Sequence, residues 1–270
     1  MKKIFIVLVL MLFNFALAAD WDSASALKRV NTIGQKMLKA NNVNHEIEFK
    51  VSEQEDINAY ANLDKEIYVY KGLLEYVTND EELAAVISHE MGHIINGHCA
   101  KQGVLNTGIA IASAMVNVSD TTKAIGQTLA TSKISRSDEN EADITGVDLM
   151  TKAGYNPLAM VSLLNKISGN YIDILQTHPS GEKRILYVYN YIEYNYGSYI
   201  SKGYKTESYQ KALSMINPTV EKRKKSARLT KKFNKQQQKL LVKKQKRIKK
   251  MQKNSTVWDS YYSTLQLMAS

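Results

Sequence analysis

Two histidines four residues apart, with a glutamate directly after the first, stand at His89-Glu90-Met91-Gly92-His93. On an α-helix, residues four apart lie about 40° apart around the axis, so both imidazoles project toward one ion. Two neutral imidazoles suit zinc, and the intervening Glu90 is placed to act on a bound water as general base. Apolar residues flank the pattern, Ala84 to Ile87 before it and Ile94-Ile95 after it, so the helix reads as a core helix. Two histidines and a glutamate in a core cost free energy unless they are paired or ligated. A catalytic zinc takes a third protein ligand and keeps one position open. His98 is a poor third ligand: it follows His89 by nine residues, about 180° round the helix, and reads as a structural or surface histidine. Cys99 reads as a small buried hydrophobe. Some 45 residues on, in Ser135-Arg136-Ser137-Asp138-Glu139-Asn140-Glu141-Ala142-Asp143, Glu139 and Asp143 share a helix face, with Arg136 one turn ahead. Glu139 as a ligand, with Asp143 as the partner of a ligating imidazole, is an economical pairing. Spacing does not choose between Glu139 and Glu141, and a solvated acidic helix start is the plainer alternative.

The elements that must position these residues are mostly helical. Leu27, Val30, Ile33, Met37 and Leu38 recur at helical spacing up to about Asn41-Asn42. Ile47, Phe49 and Val51 alternate as in a half-buried strand. Ile57 to Ala61 and Ile67 to Tyr70 are two more strand candidates, divided by a turn at Asn62-Leu63-Asp64. Asn79-Asp80 caps the motif helix, whose acidic first turn suits the helix dipole and which is expected to run to about His98. Further helices are expected at Ala110–Ala114, Ile125–Ser132, Asp138–Lys152, Pro157–Ser168 and Glu182–Tyr194, the third ending at Gly154. The apolar stretch from Thr107 to Val118 is too short to span a bilayer and reads as a buried helix. The expected class is α+β, helix-rich, with a small β-sheet beside the motif helix. Eight tyrosines between Tyr187 and Tyr209 read as packing and groove wall.

The chain has 270 residues, 44% apolar and 23% charged, with one cysteine, which excludes a disulfide framework and a cysteine-rich metal site. Its net charge of +10 belongs to one segment. Residues 221–253 hold sixteen of the 36 Lys and Arg and one of the 26 Asp and Glu. The remainder keeps twenty basic and 25 acidic residues, a net −5, so the basicity describes an appendage and not the body. Leu229, Phe233, Leu240, Ile248 and Met251 fall on one narrow stripe of that appendage, which suits a single long helix; a solvated or disordered charged tail is the alternative. At the start, Met1-Lys2-Lys3, the apolar run Ile4–Phe13 and Ala16-Leu17-Ala18 form a secretory signal peptide pattern with cleavage after Ala18. Export, with the periplasm as destination, is therefore expected, and nucleic acid is not an expected partner. An anionic lipid or lipopolysaccharide surface, or an acidic protein, suits the basic segment. The expected organisation is a signal peptide over 1–18, a globular domain over 19–220, a basic helical extension over 221–253 and a short aromatic helix over 254–270, built on Trp258, Tyr261, Tyr262 and Leu265.

The motifs together resemble one family. Asn58-Ala-Tyr-Ala61, Ile67-Tyr-Val-Tyr-Lys-Gly-Leu-Leu74, Glu82-Leu-Ala-Ala-Val-Ile-Ser-His-Glu-Met-Gly-His93, Ser135-Arg136, Glu139-x-x-Ala142-Asp143 and Thr177-His178-Pro179 followed by Arg184-Ile185 appear in order over residues 55–190. The chain resembles the HtpX-like and type I CAAX-prenyl-protease family of zinc metallopeptidases, in its soluble exported BepA-like branch. The resemblance implies a zincin-like domain, one zinc per chain, and Glu139, not Glu141, as third ligand beside His89 and His93. It implies Glu90 as general base and Asp143 as proton donor. His178, Arg184 and Arg136 join the candidate site residues. His178 has two readings, a donor to the metal or developing oxyanion and a capping or structural histidine. Asn62-Leu-Asp-Lys65 departs from the Gly/Pro-rich stretch usual in the family. The expected function is a zinc endopeptidase for misfolded or unassembled envelope proteins, with substrate extended beside the Ile67–Tyr70 strand. The alternative is a chaperone-like binding factor with low or latent peptidase activity.

Overall fold

The computed structural model describes residues 21–43, 47–77, 79–99, 101, 135–168, 178 and 181–253. The signal-peptide pattern, the apolar stretch from Thr107, the helices expected at Ala110–Ala114 and Ile125–Ser132, and the Trp258 patch lie outside them. Helix α1 (Ser23–Ala40) starts where the Asp22 carboxylate accepts the backbone N–H groups of Ala24 and Ser25, and it buries Val30, Ile33, Met37 and Leu38. A three-stranded sheet follows: β1 (Glu48–Ser52), β2 (Ala59–Ala61) and β3 (Glu66–Tyr70). β3 lies in the middle, parallel to β1 with Phe49 opposite Ile67, and antiparallel to β2 with Tyr60 opposite Tyr68. The Ile67–Tyr70 strand therefore has no free edge, which corrects the expected substrate position. The alternation of apolar residues identifies strands but not their neighbours; the outer strand on the motif-helix side is β2.

A short helix α2 (Lys71–Tyr76), not expected, leads to the motif helix α3 (Asp80–Ile95). Asn79 caps α3 by accepting the Glu82 N–H, and every residue from Glu82 to Ile95 is buried, as its apolar flanks demand. The helix stops three residues earlier than expected, because Asn96 caps it and Gly97 turns the chain at a φ of 69°. Helix α4 (Arg136–Lys152) is capped by the Ser135 hydroxyl, which accepts the Asp138 N–H. Helices α5 (Leu158–Ser168) and α6 (Glu182–Asn195) match expectation, and α7 (Gly197–Lys202) and α8 (Glu207–Lys224) add to it. The buried spacing Tyr209, Ala212, Ile216, Val220 lays α8 against the body.

Residues 227–253 form one helix, α9. Residue 220 falls inside α8, and α9 folds back over α8, α6 and α4. Phe233 meets Tyr194 edge-on at 6.0 Å between ring centroids, and Gln237 is buried. Lys244 pairs with the buried Asp148, which also accepts the hydroxyls of Tyr191 (2.9 Å) and Tyr196 (2.6 Å). These tyrosines are packing and anchoring residues. Among the described residues, no helix is long and apolar enough to cross a membrane.

Candidate metal centre

Helices α3 and α4 cross with their backbones in contact. A Cβ built at Gly92 would stand 2.5 Å from the Ala142 carbonyl oxygen, and one at Gly146 would stand 3.0 Å from the Ser88 carbonyl. Only glycine fits at such a crossing, so Gly92, inside the histidine motif, is a packing requirement that spacing arguments alone miss. The close approach brings Glu139 and Asp143 of α4 onto the imidazoles of α3. His89 Nε2 and His93 Nε2 are 3.0 Å apart. Glu139 Oε1 lies 3.3 Å from His93 Nε2, and Oε2 lies 3.6 Å from His89 Nε2. His178 joins them, its Nδ1 3.0 Å from Glu139 Oε1 and 3.2 Å from His89 Nε2. One donor atom from each of the four, all buried, lies within 4.8 Å of the others.

Two imidazoles and a carboxylate form the donor set of a catalytic zinc. A second observation fits a bound metal and its water. Glu90 Oε1 is buried, 3.7 Å from His178 Nε2, and has no hydrogen-bond partner. A buried carboxylate oxygen left in that state costs free energy that a water between it and a cation would recover.

Electrostatics sort the carboxylates. Burial pushes the Glu90 pKa up, against the pull of His178 and His89, which suits a proton acceptor. Burial also resists ionisation of Glu139 and Asp143, but is outweighed. His178, His93 and Arg184 hold Glu139 far below the usual carboxylate range, and Arg184 with His89 lowers Asp143. Arg184 spans both: Nη1 to Glu139 Oε2 at 2.6 Å, and Nε and Nη2 to the two Asp143 oxygens at 2.6 and 2.7 Å. Asp143 Oδ1 in turn lies 2.9 Å from His89 Nδ1. Burial drives His93 down to about 3, so its ring is neutral and free to donate a lone pair.

Glu139, and not Glu141, is the carboxylate that meets the imidazoles. Glu141 faces His98, with Oε2 3.4 Å from His98 Nε2. His98 is buried and touches His93, Nδ1 to Nδ1 at 3.1 Å, a contact the nine-residue spacing could not reveal because the helix ends before it. Cys99 is half-buried, its Sγ 3.6 Å from the Ala61 carbonyl oxygen. Arg136 is exposed on the first turn of α4, outside the buried cluster.

The sequence profile of peptidase family M48 matches residues 24–191, which contain the whole α3–α4 crossing and His178 with Arg184. The chain belongs to peptidase family M48. It is a zinc metalloendopeptidase on that ground and on the names of its relatives. It is similar to the metalloprotease LoiP of Escherichia coli K12, 33% identical over 175 residues that make up 60% of this chain and 68% of that one. It is 26% identical to the beta-barrel assembly-enhancing protease of Yersinia pestis over 180 residues, 58% of this chain and 37% of the relative. Against the mitochondrial metalloendopeptidase OMA1 of Arabidopsis thaliana the identity is 34% over 135 residues, 47% of this chain and 28% of that one. The M48 peptidase thus spans little more than a third of the beta-barrel assembly-enhancing protease. Its α9 lies beyond the residues the family profile matches.

Proposed function

We infer that the protein is an exported peptidase of the bacterial cell envelope, in the periplasm, that cleaves misfolded or unassembled envelope proteins. Its metal is one zinc per chain, held by His89, His93 and Glu139. The observation that carries this reading is the Oε1 of buried Glu90, without a hydrogen-bond partner, beside those converging donors. Zinc, when bound there, polarises the scissile carbonyl and lowers the pKa of its water. Glu90 accepts the proton of the attacking water and returns it to the leaving amine. Asp143 orients His89; in this reading it acts through that imidazole and not as proton donor, since Arg184 keeps it ionised. Substrate lies extended along the outer edge of β2, whose Ala61 backbone N–H bears on Glu90. Reading backbone in this way suits unfolded chains of many sequences. The protease name of a beta-barrel assembly relative supports an envelope role.

The outward face of α9 exposes Arg228, Lys232, Lys235, Lys239, Lys243 and Lys246 with no acidic residue on the helix, which suits association with an anionic lipid or lipopolysaccharide surface. A second reading, a chaperone-like factor with latent peptidase activity, is favoured by His178. With its nitrogen in the donor cluster, four protein ligands would close the coordination shell and leave no open position. Hydrolysis of unfolded casein, with and without a chelator, tests the peptidase reading; chelator-insensitive hydrolysis overturns it. His178→Ala separates the two readings: turnover rises if the histidine blocks the metal and falls if it assists the oxyanion.

A further inference from the structure

We propose that His98 is a positioning residue for His93, and that through it the C-terminal helix α9 is mechanically part of the metal centre. The inference rests on His93 being a zinc ligand. If Nε2 of His93 faces the metal, as its closeness to His89 Nε2 and Glu139 Oε1 implies, the ring proton sits on Nδ1. That nitrogen lies 3.1 Å from His98 Nδ1, which must then accept, leaving the proton of His98 on Nε2. His98 Nε2 faces Glu141 Oε2 at 3.4 Å, with Asp138 Oδ1 at 3.7 Å. Each donor thus has one acceptor, and the proton assignment closes without conflict. Both carboxylates are paired with a cation, Asp138 with Lys101 and Glu141 with Arg247, and Glu141 is the nearer acceptor for His98.

The chain of contacts then leaves the catalytic helices. The Glu141 carboxylate is paired by Arg247 of α9, and the same guanidinium donates to the Asn96 carbonyl oxygen at the end of α3. Asn96 holds α4 through Thr145 Oγ1 at 3.0 Å. Arg247 therefore clamps the turn that returns His98 to His93, where Gly97 adopts its left-handed conformation. Loosening that clamp lets His98 drift and frees the His93 ring to rotate.

The test is zinc affinity of the metal-stripped full chain, read by competition with a fluorescent chelator. His98→Ala should weaken zinc binding ten- to a hundredfold, in the range typical for partners behind a metal ligand. His98→Gln, whose amide oxygen can accept from His93 Nδ1, should recover most of that loss, which a merely space-filling histidine would not require. Arg247→Met should weaken binding several-fold. Lys244→Met, on the same helix but paired with Asp148, should lower the melting temperature and leave zinc affinity within twofold of wild type. The proposal is overturned if His98→Ala binds zinc within twofold of wild type while His93→Ala has lost it. It is also overturned if Lys244→Met weakens binding as much as Arg247→Met, since α9 would then act only by general packing. Wild-type affinity in His93→Ala would instead overturn the ligand reading beneath it.

Discussion

Behind His89 stands a single carboxylate: Asp143 meets His89 Nδ1 at 2.9 Å and is itself gripped by Arg184, all three buried. Behind His93 the support is longer and nearer the surface, passing through His98 to Glu141 and ending on Arg247 of α9, with the last two side chains 20% and 30% exposed. Both arms end on an arginine, but one arginine comes from α6 inside the family-matched region and the other from a helix beyond it. The difference teaches where rigidity comes from. A direct, dry ion pair holds one imbalance of charge in place at close range, whereas a relay with a solvent-facing end depends on the packing of a peripheral helix.

The largest expected effect comes from breaking the short arm. Asp143→Ala leaves Arg184 buried without the carboxylate that takes both its Nε and Nη2 bonds, so unfolding stability should fall by about 4 kcal/mol and zinc affinity by about a hundredfold. Denaturant melts of the metal-free protein and chelator competition read the two effects separately. Removing zinc from the wild type comes next. At a free zinc concentration of 100 times the dissociation constant the metal contributes about 2.7 kcal/mol, so the stripped protein should melt lower and recover on adding zinc back. Gly92→Ala acts on both arms at once, because its methyl group forces α4 off α3 against the Ala142 carbonyl. Overpacking there should cost about 2 kcal/mol and reduce zinc affinity with it. The smallest effect is expected at the exposed Lys239. Lys239→Gln should change stability by less than about 0.5 kcal/mol and leave zinc binding alone, while slightly weakening sedimentation with anionic vesicles at low salt.

A partnership of Asp143 with a motif imidazole is legible in the sequence; the grip of Arg184 on Asp143 and the whole long arm are not. The i, i+4 pairs His89–His93 and Glu139–Asp143, with caps at Asn79 and Ser135, announce two helices and the faces they present. Helical periodicity also locates α1, α5 and α6. What periodicity cannot carry is the meeting of elements: the glycines that let α3 touch α4, the central place of β3, and the packing of α9 through Phe233, Gln237 and Lys244. His98 shows the reason most clearly. Counted along an unbroken helix it points away from His93, but the helix ends at Asn96 and the Gly97 turn reverses that direction. Local spacing holds only while the element lasts.

The central claim is that Glu90 is the base of a metal-dependent hydrolysis, and Glu90→Gln tests it most directly. The glutamine keeps the shape and one acceptor but cannot take up the water proton. Zinc content by elemental analysis and casein hydrolysis by the zinc-loaded variant are measured on the same sample. Expected are one zinc per chain, an unchanged melt and a loss of hydrolysis of at least about a thousandfold. Hydrolysis within tenfold of wild type in the zinc-loaded variant would contradict it.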